Sequence, residues 1–258
     1  MLFGCVFEGP VAIIPVEIVN GNPVTTAKIG DELVDVVVDT GGFGGIAISP
    51  EDLQRLNVRF TGKSVERTDS AGNLFESRAF VIPALFLGGH RFTKISGFER
   101  VGASSGFAGG APMNVLGRAV LHDFTVVVDY PNGEIRLYRP GQARKVCGAV
   151  TSELIEMQND MLALPIQTDG GQMLALMDTG ATYSFVQSKV VAARKLRTVD
   201  DSYRTKTLRI RDRDLGPLDM VALPIEGAPE IDAFIGTNFF SNYKVCFDYS
   251  GRRVSFID

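Results

Sequence analysis

The sequence has no tryptophan, two histidines and three cysteines among its 258 residues. Without tryptophan it lacks the broad ring on which sugars stack, which weighs against a glycosidase built on two carboxylates. Cys5, Cys147 and Cys246 fit no metal-ligand spacing. As an odd set they cannot all pair within the chain, and whether Cys147 bonds Cys246 stays open at this point. His90 and His122 sit in hairpin-like and helix-end contexts without the partners a metal site needs, so no metal and no cofactor is expected. A phosphate-cradling glycine loop is missing. No apolar run approaches the roughly 20 residues of a membrane-spanning helix, so no integral membrane segment is expected. Basic charge is not in excess: 26 Lys and Arg face 30 Asp and Glu, and the basic residues are dispersed, which argues against nucleic acid as a partner.

What the chain does have is one tripeptide twice, Asp39-Thr40-Gly41 and Asp178-Thr179-Gly180. Each closes an apolar run, Val34 to Val38 and Met173 to Met177, that reads as a buried strand entering a sharp turn. An acid at such a stop is half-buried and held by hydroxyls and backbone N–H groups rather than by bulk water. At average residue usage one Asp-Thr-Gly arises by chance in roughly one chain in twenty of this length, so a single copy would say little. The pair says more, because each copy is followed by a matching second motif. Val115-Leu116-Gly117 precedes the strand-like stretch Phe124 to Tyr130, a turn, and Glu134 to Tyr138. Phe234-Ile235-Gly236 precedes Tyr243 to Tyr249, a turn, and Arg252 to Ile257. Fixed-order self-similarity at this scale means two duplicated lobes, residues 1–143 with the first tripeptide and 144–258 with the second. With 45% hydrophobic and 22% charged residues, the chain has the composition to bury both as globular units.

Along the chain, Val11 to Asn20 reads as a first strand, Gly21-Asn22-Pro23 as a turn and Val24 to Ile29 as the next strand. Ser49-Pro50-Glu51-Asp52 carries the N-cap, N1 proline and first-turn acids of a helix start. Thr61 to Phe80 reads as a polar hairpin whose tip is Ser70-Ala71-Gly72-Asn73; its place between the two motifs of the first half favours a flap over a cleft. The second half shows no matching glycine tip. Gly102 to Gly110 is the most glycine- and serine-rich stretch, Arg139 to Gly148 is a basic crossing between halves, and Gln187 to Leu196 reads as an amphipathic helix. At the start, Leu2-Phe3-Gly4-Cys5 has something of a bacterial lipoprotein signal's end, although Phe3 is bulky there and no charged or apolar region precedes it. A natural start upstream would imply a periplasmic or Cys5-lipidated protein; otherwise the expectation is cytoplasmic.

Two carboxylates at equivalent points of a duplicated fold can meet across a pseudo-twofold axis, where they resist double ionisation and share a proton. The ionised one takes a proton from water attacking a carbonyl carbon, and the protonated one hydrogen-bonds the carbonyl oxygen. Thr40 and Thr179 are expected to tie the loops together through their hydroxyls. Gly41 and Gly180 are expected to let backbone N–H groups approach the acids.

In these motifs the sequence resembles the pepsin and retropepsin aspartic proteases, most closely two retropepsin-like units fused in one chain. The resemblance spans both halves. It implies an all-β, bilobal fold of two pseudo-twofold-related, barrel-like lobes with short helices. It also implies a metal-free aspartic endopeptidase that binds an extended polypeptide between flap and cleft floor. By position, Asp39 and Asp178 match the catalytic pair, and Leu116-Gly117 and Ile235-Gly236 match the motif supporting each catalytic loop. A monomer follows, since both half-sites lie in one chain. The flap tip lacks the tyrosine common in pepsins. Gly42 and Ala181 replace the hydroxyl residues usual after the tripeptide, which points to a weakly acidic to near-neutral working pH. The alternative is a non-catalytic peptide-binding module on the same fold.

Overall fold

The valine- and isoleucine-rich runs become strands because branched side chains suit a pleated, half-buried surface, and these strands gather into three sheets. The computed structural model describes residues 9–56, 58–68, 72–101, 114–148, 152–156 and 162–257. The protein is mostly β, with two curled sheets and the fold of a bilobal molecule. In the first half, eight strands form one sheet that contains Glu32–Val38, Val115–Leu116, Ile46–Ile48 and His90–Glu99 as consecutive neighbours. In the second half, a nine-stranded sheet sets Gly171–Met177, Ala233–Ile235 and Phe185–Gln187 side by side.

A third, six-stranded sheet belongs to both halves. The first half supplies Ala12–Pro15, Glu134–Tyr138 and Thr125–Asp129; the second supplies Lys244–Asp248, Arg253–Ile257 and Ser152–Glu153. Its middle is the duplication folded against itself. Thr125–Asp129 pairs antiparallel with Lys244–Asp248, and Val127 faces Cys246, each two residues before the aspartate that ends its strand. Equivalent positions therefore meet on the local twofold axis. Each central strand also pairs with its own outer strand in the same way, Thr125 with Tyr138 and Lys244 with Ile257.

Behind these sheets lies one continuous apolar core that runs from Ile14 and Val36 through Phe80, Leu116 and Val128 to Ile235, Phe240 and Val254. Each large side chain buried there contributes about 1.5–3 kcal/mol. Local signals set most element ends. Ser49 caps the helix Pro50–Arg55, its side chain accepting from the Asp52 N–H. Gly88 and Gly89, at φ +57 and +81, turn the hairpin in which Leu87 pairs with His90.

Some boundaries differ from expectation for physical reasons. The first strand is two, Ala12–Pro15 and Glu17–Val19, because the chain leaves the shared sheet and enters the first-half sheet at Val16. The turn after it is Asn20-Gly21, at φ +50 and +80, which frees Asn22 and Pro23 to begin the strand Asn22–Ile29. The amphipathic helix is shorter than its apolar pattern, Ser188–Arg194, and ends at Lys195 in the left-handed region. Between the halves the crossing holds a short helix, Ala143–Val146, so a division between 143 and 144 falls inside it. A disulfide joins Cys147, just past that helix, to Cys246 in the shared sheet. Gly102 to Gly110 lies outside the described residues.

Candidate active site

Each Asp-Thr-Gly leaves its strand into a loop locked from behind. Val37 and Val38 pair in parallel with Val115 and Leu116, as Leu176 and Met177 do with Phe234 and Ile235. The Asp39 N–H donates to the Leu116 carbonyl at 2.9 Å and the Asp178 N–H to the Ile235 carbonyl at 2.9 Å. The glycines that follow lie flat against the loops. A Cβ on Gly117 would stand 2.6 Å from the Gly44 oxygen, and one on Gly236 would stand 2.7 Å from the Ala181 oxygen. No side chain fits either place, which explains why the second motif ends in glycine both times.

The two loops meet through their threonines, both buried. The Thr40 N–H donates to Thr179 Oγ1 at 2.9 Å, and the Thr179 N–H donates to Thr40 Oγ1 at 3.1 Å. Each hydroxyl then donates across the axis to the strand beneath its partner, Thr40 Oγ1 to Met177 O at 2.8 Å and Thr179 Oγ1 to Val38 O at 2.7 Å. Four buried bonds so fix one loop against the other, and losing either hydroxyl leaves buried groups unpaired.

This clamp brings the carboxylates face to face over the opposite glycines. A Cβ on Gly41 would lie 2.6 Å from Asp178 Cγ, and one on Gly180 would lie 2.6 Å from Asp39 Oδ2. Asp178 Oδ1 accepts from the N–H groups of Gly180 at 2.8 Å and Ala181 at 3.2 Å. Burial raises both acids above the ordinary carboxyl range, but not alike. For Asp39 the rise is offset by a hydrogen bond with Asp178, by the Gly42 and Gly41 N–H groups and by the charge of Arg100. Asp178 is pushed well up, by burial first and then by the negative charge of Asp39. The pair therefore binds one proton tightly, with Asp178 the better place for it.

Residues 25–99 match the family described as aspartyl protease. The fold matches the crystal structure of an aspartic proteinase from Irpex lacteus with a TM-score of 0.64, over 95% of this chain and 96% of that one, at 12% sequence identity. No curated protein matches the sequence. The family match covers a segment of the first half, and the likeness in fold extends over nearly the whole chain. At so low an identity the structural likeness speaks for the fold alone. The paired loops are this chain's own geometry.

In this aspartyl protease fold a long hairpin, Arg59–Thr68 with Leu74–Leu87, rises from the first-half sheet. Of the expected tip, Ser70 and Ala71 lie outside the described residues. Gly72 and Asn73 are exposed there, and Gly72 has φ +85. A Cβ on Gly72 would sit 3.0 Å from Glu226 Cβ, so the tip rests against the second half. Asp39, Thr40, Gly41, Asp178, Thr179 and Gly180 thus form one site, with the hairpin tip reaching toward the lobe opposite its own.

Four residues near the site escaped sequence reasoning. Arg67, on the hairpin, places its guanidinium 3.6 Å from the Phe98 ring centre and 5.6 Å from that of Phe43. Its signal was faint: Val65 and Arg67 are the half-buried positions of an otherwise exposed strand, in phase with its period of two. Arg100 follows the strand His90–Glu99 and lies close enough to Asp39 to feel its charge. Tyr130 and Tyr249 are buried beneath the loops, and burial raises the pKa of both phenols. Their signal was plain, since Asp-Tyr ends the equivalent strand in each half.

Proposed function

We propose that the protein is an aspartic endopeptidase acting on polypeptides bound in extended form between the hairpin and the paired loops. The observation that carries this reading is the mutual placement of Asp39 and Asp178, each against the glycine of the opposite loop. Asp39, favoured as the ion by its N–H donors and by Arg100, takes a proton from water as the water oxygen bonds to the peptide carbonyl carbon. Asp178, protonated, donates to the carbonyl oxygen. The tetrahedral intermediate then breaks its C–N bond, the amine leaves with a proton from the pair, and the other product is a carboxylic acid. Both half-sites lie in one chain, so a monomer is sufficient for this chemistry.

The test is a mixed peptide library incubated across pH with wild type, Asp39→Asn and Asp178→Asn. Each variant is expected to lose cleavage by at least about a thousandfold while its circular dichroism stays that of wild type. Near-wild-type turnover in either would rule out the pair as the catalytic machinery. Binding without cleavage by wild type at every pH would instead identify a peptide-binding module.

A further inference from the structure

Beside Asp39 the first half gathers Phe43, Phe98, Arg67 and Arg100 into one cluster, of which the hydrolytic chemistry draws only on the charge of Arg100. Its floor is Phe98, whose ring edge comes up to Gly44 in the Asp39 loop: a Cβ on Gly44 would stand 3.1 Å from Phe98 Cε1. Phe43, from the same loop, is 47% exposed and forms the rim. Arg67 reaches in from the hairpin and lies flat on Phe98, with Phe43 at its side, a stacking that fixes the plane of the guanidinium. One of its nitrogens, Nη1, is buried and has no hydrogen-bond partner among the described residues.

Arg100 adds a second guanidinium. Its backbone N–H is bonded to Ile48 O at 2.8 Å, which anchors it at the end of the strand that carries Phe98. Arg67 is pushed down to about 10 by burial first and by the charge of Arg100 next, so the two cations are close neighbours and both remain charged at neutral pH. Glu99, the acid next to Arg100 in sequence, accepts from Arg78 at both of its oxygens, at 2.8 Å each. Among the described residues, Asp39 is a carboxylate whose charge both arginines feel. It is also committed to the pair with Asp178.

A buried guanidinium N–H without an acceptor is rare in folded proteins because it forfeits hydration and gains nothing in return. A planar cation held on an aromatic floor presents its N–H groups in the geometry a carboxylate matches bidentately. We propose that this cluster forms a pocket that selects substrates with a glutamate or aspartate side chain close to the scissile bond, on the first-half side, with Arg67 as the contact. The proposal rests on the endopeptidase reading for its link to cleavage, but not for its link to binding.

The experiment uses acetylated, amidated 12-residue peptides, which carry no terminal charge, in two libraries that differ only by glutamate or glutamine at randomised positions. Cleavage sites are sequenced by mass spectrometry, and kcat/KM is measured for matched pairs. Wild type is expected to favour the glutamate peptide at least tenfold, with glutamate concentrated at one position beside the cut. Arg67→Gln should remove that preference, bringing the glutamate and glutamine peptides within about threefold of each other. Arg67→Glu should reverse the preference, toward a lysine peptide. Equal cleavage of the pair by wild type, or an undiminished glutamate preference in Arg67→Gln, overturns the proposal and leaves the endopeptidase reading standing. If nothing is cut, the endopeptidase reading fails and fluorescence polarisation with the same peptides decides the pocket. Tenfold tighter glutamate binding that is lost in Arg67→Gln supports the proposal, and no difference overturns it.

Discussion

Gly42 and Ala181 follow the two aspartates and carry no hydroxyl, yet the two positions are not equivalent. A Cβ on Gly42 would stand 2.7 Å from Asp39 Oδ2, so a serine there must displace the carboxylate. Ala181 already has a side chain, and its N–H reaches Asp178 Oδ1 at 3.2 Å. Ala181→Ser is therefore the clean variant. An added hydroxyl donor stabilises the Asp178 anion and lowers the pKa at which the shared proton leaves. The basic limb of kcat/KM should move to lower pH; a limb that stays put would show that the hydroxyl does not reach the pair. Asp178→Asn makes a second case, in stability. The folded protein holds the Asp178 proton more tightly than the unfolded chain does, so folding loses free energy as pH rises from the ordinary carboxyl value through the folded one. Asparagine, neutral throughout, escapes that loss. The variant should melt a few degrees higher than wild type at pH 7, with the gain vanishing near pH 3. A Tm difference that ignores pH would mean that its source is packing. These two acids were legible in the sequence because the same tripeptide occurs twice, behind the same kind of strand. Arg67 was not, since one arginine in a polar hairpin looks like any solvated charge until Phe98, 31 positions away in the chain, comes under it.

At the scale of elements, the arms of the hairpin were readable because they carry β-compatible residues, while Ser70 and Ala71 of the expected tip lie outside the described residues. Its contact with Glu226 was not readable, because nothing local marks a meeting with the opposite half. Gly72 serves both features. Its φ of +85 is costly for any residue with a Cβ, and that Cβ would press on Glu226. Gly72→Val should thus distort the tip and lift it from the second half. The expected result is a loss of about tenfold or more in kcat/KM with a Tm drop of only a degree or two, since the tip buries little. Equal losses in both, or in neither, would count against a working flap. The break at Val16 shows the same limit from the other side. Its residues favour a strand throughout, and only the need to serve two sheets divides them.

The two-lobed plan of the whole molecule could be read from the repeat, but the sheet that joins the lobes could not. Pairing Val127 with Cys246 leaves no trace in either strand, each of which reads simply as buried. The same distance hid the disulfide. Cys147 and Cys246 are 99 residues apart in sequence, with Cα atoms 5.5 Å apart, and both are buried against Val127 and Tyr138. Cys147→Ala should cost about 2–5 kcal/mol and lower Tm by roughly 5–15 °C, and an unchanged Tm would mean that the bond is not formed in the purified protein. The shared sheet also dictates an order of events. Thr40 and its partner Thr179 are 139 residues apart, and the strand beneath the first half waits for Lys244–Asp248 to close it. A chain emerging from the ribosome displays Asp39 long before a second acid, a clamp or a completed floor exists. Until translation is nearly over, no nascent chain can hold the two acids together in one site.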